Sequence, residues 1–215
     1  MNDAPMIGLL LDAGADPERR FDGCTAYGFA RVFGNRTLAE ALEARGAASD
    51  LTPEEALLAA AADGVATPGR FVDVARLPDS YRNIIRSILH LPGRLEHIRR
   101  LVALGVETDR PDSEGLTPVQ VAGWEGLPGV MAYLLSEKPD LSHVNGYGGT
   151  LLTTILHGSE NCPARAERDH IACARLALEQ GVALPMPVIE AAGNSELAAF
   201  LADWAEERLG QVTPG

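Results

Sequence analysis

Two histidines and two cysteines lie close together in the last third of the chain and could hold a zinc ion. The four candidates are His157, Cys162, His170 and Cys173, and structural zinc prefers four nitrogen and sulfur ligands. Their spacing is irregular, because only His170 and Cys173 are close enough in sequence to share a helix face. Cys173 also falls on an apolar stripe, where a thiol packs as a small hydrophobic group. A metal-binding or redox-regulated protein is therefore the alternative interpretation and not the leading one.

The rest of the sequence contains none of the common catalytic motifs. Gly146, Gly148 and Gly149 lie together, but no lysine follows them as in a phosphate-binding loop. A nucleophile elbow, a two-histidine helix motif and a carboxylate pair with its own base are all missing. Glu54 and Glu55 are interpreted as the acidic first turn of a helix. We therefore expect a protein that is not an enzyme and uses no cofactor.

The chain is strongly acidic. It has 215 residues with 30 acidic and 18 basic side chains, a formal net charge of −12 at pH 7. This sign disfavours nucleic acid and anionic membranes as partners, and favours a protein partner that carries a basic patch. The sequence also has no apolar run near the ~20 residues that span a bilayer, and its start does not resemble a secretory signal. With three cysteines, an odd and sparse set, we expect reduced thiols and a cytoplasmic location.

The composition favours helices over sheets. Alanine and leucine dominate and lose little rotamer freedom in a helix, while aromatic residues make up only 5%. The glycines are scattered, and each one bounds a short segment with helical periodicity. We therefore expect an all-α fold made of many short helices.

A repeat with a period of 33 residues is visible in the second half of the chain. The segment Asp112-Ser113-Glu114-Gly115-Leu116-Thr117 recurs as Asn145-Gly146-Tyr147-Gly148-Gly149-Thr150. A second block, in which an amphipathic helix follows a glycine, recurs after Gly34, Gly93, Gly126 and Gly193. Pairs of short helices bury their apolar stripes only against neighbouring pairs, so such repeats predict a stack of modules.

These blocks resemble ankyrin repeats. The segment Gly115-Leu116-Thr117-Pro118-Val119-Gln120-Val121-Ala122 is similar to the family's best-known stretch, in which Thr-Pro opens a short helix. Gly23-Cys24-Thr25-Ala26-Tyr27 is a weaker copy with alanine in place of proline. The family's usual histidine is replaced by Gly28, Gln120 and Thr153. The resemblance implies an ankyrin-type α-solenoid of helix-turn-helix repeats with short hairpin fingers, and the alanine- and arginine-rich composition is typical of a bacterial protein.

On this resemblance the whole chain, 1–215, is one repeat solenoid. We expect a half repeat at 4–14, repeats at about 23–47, 51–77, 78–106, 112–140 and 145–183, the last with an insertion at 158–168, and a C-terminal capping pair at 187–208. The predicted helix caps are Thr25, Thr52, Thr117 and Thr150. Since the first unit is only half a repeat, its apolar face of Ile7, Leu10 and Leu11 is expected to lack a neighbour and to support self-association.

The resemblance implies a concave groove that binds an unidentified partner protein. Trp124 is the first candidate, because an exposed tryptophan in a groove is typical of a binding hot spot. It could equally pack against a neighbouring unit. The other candidate contact residues are Phe33, Tyr147, Arg110, His143 and Asn145. A non-enzymatic interaction scaffold is therefore the favoured function.

Overall fold

The structure is a computed structural model that describes residues 4–214. In this range the chain forms thirteen α-helices, three short 3-10 helices and one two-stranded sheet, which confirms the all-α prediction. The chain divides into two compact units. The first unit runs to Ile88 and includes Gly93–Glu107, and the second comprises Leu89–Pro92 and the chain from Thr108 onward.

Seven α-helices form the described part of the first unit. They are α1 (Ala4–Asp12), α2 (Ala26–Val32), α3 (Arg36–Glu43), α4 (Pro53–Ala62), α5 (Asp79–Arg82), α6 (Ile84–Ile88) and α7 (Leu95–Ala103). Helix α2 packs against α3 and α4, and α4 packs in turn against α7. In the second half of the expected repeat at 51–77 the chain forms only a 3-10 turn at Val74–Arg76, preceded by Asp73 in an extended conformation. Just before it, Val72 N–H donates to Leu104 O at 2.9 Å.

Threonine side chains start the helices at three of the four predicted caps. Thr25 Oγ1 accepts from the amide three residues on at 3.0 Å, and Thr52 and Thr150 do the same at 3.1 and 3.4 Å. At Thr117 only the reverse bond is present: the Thr117 N–H donates to Gln120 Oε1 at 3.2 Å. The hydroxyl oxygen, Thr117 Oγ1, has no hydrogen-bond partner among the described residues. These bonds satisfy amides that the first helical turn leaves without an acceptor.

Helix α1 packs against the rest of the first unit. Ile7 and Leu11 contact the apolar cluster formed by α2 and α3, so these two side chains have the neighbour that the sequence analysis expected them to lack. Arg45 reinforces the contact by donating to Asp12 Oδ1 at 2.7 Å. Of the three residues, Leu10 stays exposed. The expected unpartnered face of Ile7, Leu10 and Leu11 is therefore wrong for two of its three residues.

The second unit contains the remaining helices and the sheet. The helices are α8 (Pro118–Trp124), α9 (Pro128–Ser136), α10 (Leu151–Asn161), α11 (His170–Glu179), α12 (Met186–Glu190) and α13 (Ser195–Glu207), with 3-10 turns at Arg165–Glu167 and Leu209–Gln211. The strands β1 (Leu184–Pro185) and β2 (Val212–Thr213) pair in parallel. Helix α8 packs against α10, and α9 against α11. The pair α8 and α9 therefore lies beside the pair α10 and α11, with α8 next to α10 and α9 next to α11.

Small residues allow α8 and α10 to approach closely. A Cβ at Gly158 would collide with the carbonyl oxygen of Trp124, and a Cβ at Gly123 would lie 2.7 Å from Ile155 Cγ1. Neither position has room for a side chain. The seam beside these glycines is fully buried and apolar, with Val119 and Ala122 on α8, and its burial from water stabilises the pair.

The end of the chain folds back onto α11. Gln211 Nε2 donates to Leu178 O at 2.6 Å and to Val182 O at 3.0 Å, and Gln211 Oε1 accepts from Trp204 Nε1 at 3.1 Å. The glutamine thus ties the segment after α13 to the carbonyl of Leu178, which also accepts from Gly181 N–H, and to that of Val182 beyond the end of α11. Between residues 4 and 214, none of the helices has the length and apolar character needed to cross a bilayer.

Candidate functional site

Two turns of the second unit have the same hydrogen-bond pattern. Asp112 Oδ1 accepts from the amides two and four residues further on, both at 2.9 Å. Asn145 Oδ1 accepts from the equivalent amides at 3.0 and 2.9 Å. Each turn is closed by two further backbone bonds. In the first, Gly115 N–H donates to Asp112 O at 3.0 Å and Asp112 N–H to Leu116 O at 3.1 Å; in the second, the equivalent bonds to Asn145 O and from Asn145 N–H are 2.9 and 3.0 Å long. The 33-residue repeat of the sequence therefore holds for individual atoms of these two turns.

The two turns are also bonded to each other. Gly146 N–H donates to Glu114 O at 2.9 Å, and His143 Nε2 lies 2.7 Å from Gly115 O. Gln120 Nε2 adds bonds to His143 O at 3.3 Å and to the carbonyl of Gly149 at 3.2 Å. Gln120 stands where the resemblance expects a histidine, and it too connects one turn to the next.

Two of the predicted contact residues, His143 and Asn145, take part in these hydrogen bonds within and between the turns. His143 is half-buried with its ring on the neighbouring turn, and Asn145 is buried. Asn145 Nδ2 donates to Thr154 Oγ1 at 3.2 Å while its oxygen holds the turn. Both side chains hold the turns in place, and neither is fully exposed to solvent.

Tyr147 projects from the second turn and is 73% exposed. Val144, just before it, is exposed as well. The pKa of the Tyr147 phenol is raised, chiefly by the negative charge of Glu114 and to a smaller extent by that of Asp112. An aromatic ring and the exposed carboxylate of Glu114 therefore share one surface, and we call Glu114, Val144 and Tyr147 the turn surface. Sequence reasoning missed Glu114 and Val144, although both flank residues of the repeat that it had found.

Trp124 lies at the end of α8 and is half-buried. His170 Nε2 donates to its carbonyl oxygen at 2.9 Å, and Gly158 of α10 lies against the same carbonyl. The backbone of Trp124 is thus fixed by two neighbouring helices. Arg110 is half-buried in the same unit. Phe33 belongs to the first unit, where it stacks on Phe29 with ring centroids 4.2 Å apart and planes 7° apart.

The four candidate zinc ligands do not converge. His157 is exposed beside Asn161, with 3.1 Å between Nδ1 and Asn161 Nδ2. Cys162 is buried with Sγ 3.7 Å from a carboxylate oxygen of Glu125, and the ring of His170 faces Trp124 O. Across the part of the chain that the structure describes, no three histidine, cysteine, aspartate or glutamate side chains are grouped to hold a metal ion.

All three cysteines are buried and free. Burial raises the pKa of the Cys173 thiol to about 12, and it is the largest cause of the raised pKa of Cys24 and Cys162. At neutral pH these groups are thiols and not thiolates, and only the thiolate is a good nucleophile or metal ligand.

A cleft of about 330 Å³ lies in the first unit. It is lined by the loop before α2, the start of α4 and the segment that leads into α5, through Asp22, Gly23, Cys24, Thr52, Glu54, Glu55, Arg76, Leu77, Pro78 and Tyr81. Glu55 is its most buried charged residue. Its Oε1 accepts from the Tyr81 hydroxyl at 2.8 Å and its Oε2 from Thr52 N–H at 2.9 Å.

Sequence reasoning found Glu55 as an acidic residue in a first helical turn but did not find the cleft. Tyr81 is 26 residues further along the chain, and no motif connects the two positions. Among known proteins, no family model matches the chain and no curated protein matches it. The ankyrin resemblance thus stays a prediction.

Proposed function

We propose that this protein is a non-enzymatic interaction scaffold that binds a partner protein through the turn surface of its second unit. The observation that carries this proposal is Tyr147, which is 73% exposed on a turn whose backbone is held by Asn145 and by the neighbouring turn. A large ring on a fixed backbone loses little conformational entropy when it is buried by a partner. Tyrosine is accordingly enriched among the residues that dominate binding energy.

The architecture that we propose for this scaffold is an ankyrin-type α-solenoid with short hairpin fingers. It is supported by the matching turns at Asp112 and Asn145 and by the side-by-side helix pairs that follow them. It is further supported by the helix starts, since Thr150 N–H donates to Thr153 Oγ1 at 2.8 Å just as Thr117 N–H donates to Gln120. In such a stack the turn surface lies at the fingertips, with Trp124 and Arg110 as further contact residues.

The partner that we propose is a protein with a basic patch. The chain carries a net charge of −12, and the exposed Glu114 lies close enough to Tyr147 for its negative charge to raise the pKa of the phenol. Opposite charges speed the encounter of two proteins, and a guanidinium can stack on an aromatic ring. A cytoplasmic location, in which the three free thiols stay reduced, belongs to the same proposal.

The test is affinity capture followed by a binding measurement with the purified partner. The full chain, immobilised, is exposed to an extract of the source cells beside the variant Tyr147→Ala and the control Phe71→Ala, which removes an equally exposed aromatic ring from the first unit. We expect wild type and control to retain the same basic protein, and Tyr147→Ala to bind it about tenfold more weakly or worse. Equal affinity for Tyr147→Ala, or no protein retained by wild type, would overturn the proposal.

A further inference from the structure

The second turn contains the one asparagine-glycine pair of the sequence, Asn145-Gly146. In such a pair the main-chain nitrogen of the glycine can attack the side-chain carbonyl carbon of the asparagine, which then loses ammonia. Glycine favours this reaction because it has no side chain to block the approach of its nitrogen and leaves the backbone free to turn. The pair is therefore a candidate site of spontaneous deamidation.

The packing of the turns explains why these two residues stand together. A Cβ at position 146 would lie 2.5 Å from the carbonyl oxygen of Glu114, so the contact between the turns requires glycine there. Asn145 holds the turn through Oδ1, and its Nδ2 donates to Thr154 Oγ1, a bond that an ionised aspartate cannot make. The first turn has Asp112-Ser113 at the equivalent positions. The reactive pair thus belongs to the second turn alone.

The neighbouring turn keeps the nitrogen of Gly146 from reacting. Its N–H donates to Glu114 O at 2.9 Å. To attack, the nitrogen must lose this proton and move towards Cγ of Asn145, and the loss would leave a negative nitrogen facing a carbonyl oxygen. The Asn145 side chain is held in place as well, since both of its polar atoms are hydrogen-bonded. The two reacting atoms therefore cannot meet while the turns are bonded to each other.

Other features of the turn favour the reaction once that contact opens. The two N–H groups that donate to Asn145 Oδ1 stabilise the negative charge that this oxygen gains during the attack. These donors belong to the same turn and do not depend on Glu114. Gly146 is exposed, so hydroxide from solvent can reach its N–H. The bond from Gly146 N–H to Glu114 O is thus the main restraint on the chemistry.

We propose that Asn145 is a deamidation site that is closed while the two turns are bonded and becomes reactive when Gly146 N–H separates from Glu114 O. Hydroxide removes the proton from Gly146 N, the nitrogen bonds to Asn145 Cγ, and the side-chain nitrogen leaves as ammonia with a proton from water. One water molecule then opens the resulting succinimide at either of its two C–N bonds. Opening at Cγ gives aspartate, and opening at the main-chain carbonyl carbon gives isoaspartate.

The two products affect the turn differently. Aspartate keeps the acceptor oxygen, and Asp112 already makes the same pair of bonds in the first turn. Isoaspartate adds one carbon to the main chain before Gly146, which moves the Gly146 N–H away from Glu114 O. This product prevents the turns from bonding again, so it marks chains whose turns have separated. The inference does not rest on the proposed function, and its test needs no partner protein, so the two can fail separately.

The test follows deamidation of the purified full chain at pH 8 by digestion and mass spectrometry, with isoaspartate separated from aspartate by chromatography. We expect the peptide with Asn145 to be converted about tenfold faster or more in guanidinium chloride than in the native chain, because conversion follows the fraction of open molecules. Asn161, exposed on α10 and followed by a cysteine, is the internal control and should convert slowly in both conditions. Equal rates for Asn145 in the native and unfolded chains, or no conversion in the unfolded chain, would overturn the proposal.

One variant tests whether the contact between the turns is the restraint. His143→Ala removes the contact of 2.7 Å between His143 Nε2 and Gly115 O and leaves the reactive pair unchanged. We expect native deamidation of Asn145 and hydrogen exchange at Gly146 N–H to rise together, each about fivefold. His157→Ala, which changes an exposed histidine on α10, is the control and should match wild type.

A second measurement does not depend on any variant. Guanidinium chloride at concentrations below the unfolding transition should raise the exchange rate at Gly146 and the deamidation rate at Asn145 in the same proportion. Circular dichroism confirms that the chain and each variant are folded under these conditions. Exchange that becomes faster without faster deamidation, or deamidation that becomes faster without faster exchange, would contradict the proposed restraint.

Discussion

The carboxylate of Glu55 occupies the space that a side chain at position 28 would need. A Cβ on Gly28 of α2 would lie 2.5 Å from Glu55 Oε1 of α4. Because α2 has no side chain there, the carboxylate can reach both its own helix start and the Tyr81 hydroxyl. Gly28 is one of the three positions at which the ankyrin resemblance expects a histidine. Position 28 therefore has no room for a side chain, because α4 places the Glu55 carboxylate there.

Substitution of Gly28 tests this relationship. Gly28→Ala should lower the free energy of unfolding by about 1–3 kcal/mol, since the new methyl group displaces the carboxylate from its hydrogen bonds. This expected loss is the net effect, after subtraction of the gain of roughly 1 kcal/mol that alanine offers over glycine inside a helix. Urea unfolding measures the difference. The control is Gly129→Ala in α9, where no atom lies within 4 Å of the added Cβ, and this variant should be more stable than wild type. A stabilised Gly28→Ala would contradict the arrangement.

The close approach of α8 and α10 makes a stronger prediction. Gly158→Ala should destabilise the chain by about 3 kcal/mol, because the added carbon meets the backbone of Trp124 and the helices must separate. Gly210→Ala, in open surroundings, is the control. Thermal unfolding followed by circular dichroism compares the two. A Gly158→Ala protein with wild-type stability would show that the seam tolerates a wider spacing.

The hydrogen-bonded turns can be tested by removing one side chain. Asn145→Ala removes three hydrogen bonds from a buried amide, two of them to backbone N–H groups. We expect a loss of about 2 kcal/mol in unfolding free energy, with faster amide exchange at Tyr147 and Gly149. Asn161→Ala, which removes an exposed amide on α10, should be close to neutral. Unchanged exchange at both amides would mean that the side chain does not hold the turn.

Buried His97 predicts a loss of stability in mild acid. It is 3% exposed and neither ring nitrogen has a hydrogen-bond partner in the described chain. Burial, with the charges of Arg94 and Arg100 in addition and Asp63 opposing them, lowers its pKa from 6.5 to about 4. Below pH 6.5 the unfolded chain therefore takes up a proton that the folded chain does not, and stability falls as the pH drops towards 4. Between pH 6.5 and pH 4 the free energy of unfolding should fall by about 3 kcal/mol because of this one histidine.

The matching experiment measures urea unfolding of wild type and His97→Leu between pH 7 and pH 4. The leucine variant lacks the titrating group, so the stability difference between the two proteins should grow in favour of the variant as the pH falls. His90→Gln, which changes an exposed histidine, serves as the control and should follow wild type. Parallel curves for wild type and His97→Leu would show that another group causes the acid loss.

The thiols should be almost unreactive in the folded protein. With a thiol-specific reagent at pH 8, Cys173 is expected to react most slowly, because burial raises its pKa to about 12. All three cysteines should react rapidly in urea. Mass spectrometry after timed labelling identifies which cysteine is modified. Rapid labelling of Cys173 in the native chain would contradict its burial.

The features that the sequence predicted well are helix starts and turns, which depend only on residues close together in the chain. Helix starts at Thr25, Thr52 and Thr150 and the turns at Asp112 and Asn145 are set by neighbouring residues, so their patterns are visible in the sequence alone. Thr117 is the exception: Gln120 accepts from its N–H as Glu55 does from Thr52, but the hydroxyl bond to the helix is absent, and nothing in the structure explains that difference.

Relationships between distant segments account for what the sequence missed. The cleft depends on Glu55 and Tyr81 coming together, and the neighbour of Ile7 depends on the packing of α1 against α3. Nearness in sequence also does not imply nearness in space, since His157 lies on α10 and Cys173 on α11 in different surroundings. The half-buried state of Trp124 follows from how α8 packs and could not be decided from its residue type.

The bond from Gly146 N–H to Glu114 O restricts where this chain can gain or lose residues. An insertion or deletion between 116 and 145 must be absorbed without moving Gly146 N–H away from Glu114 O, or this bond is lost. Between α10 and α11 the chain instead passes through a short 3-10 turn, Arg165–Glu167, in which an altered loop length costs little. Homologous chains should therefore vary in length after α10. The number of residues between the turn that begins at Asp112 and the turn that begins at Asn145 should stay constant.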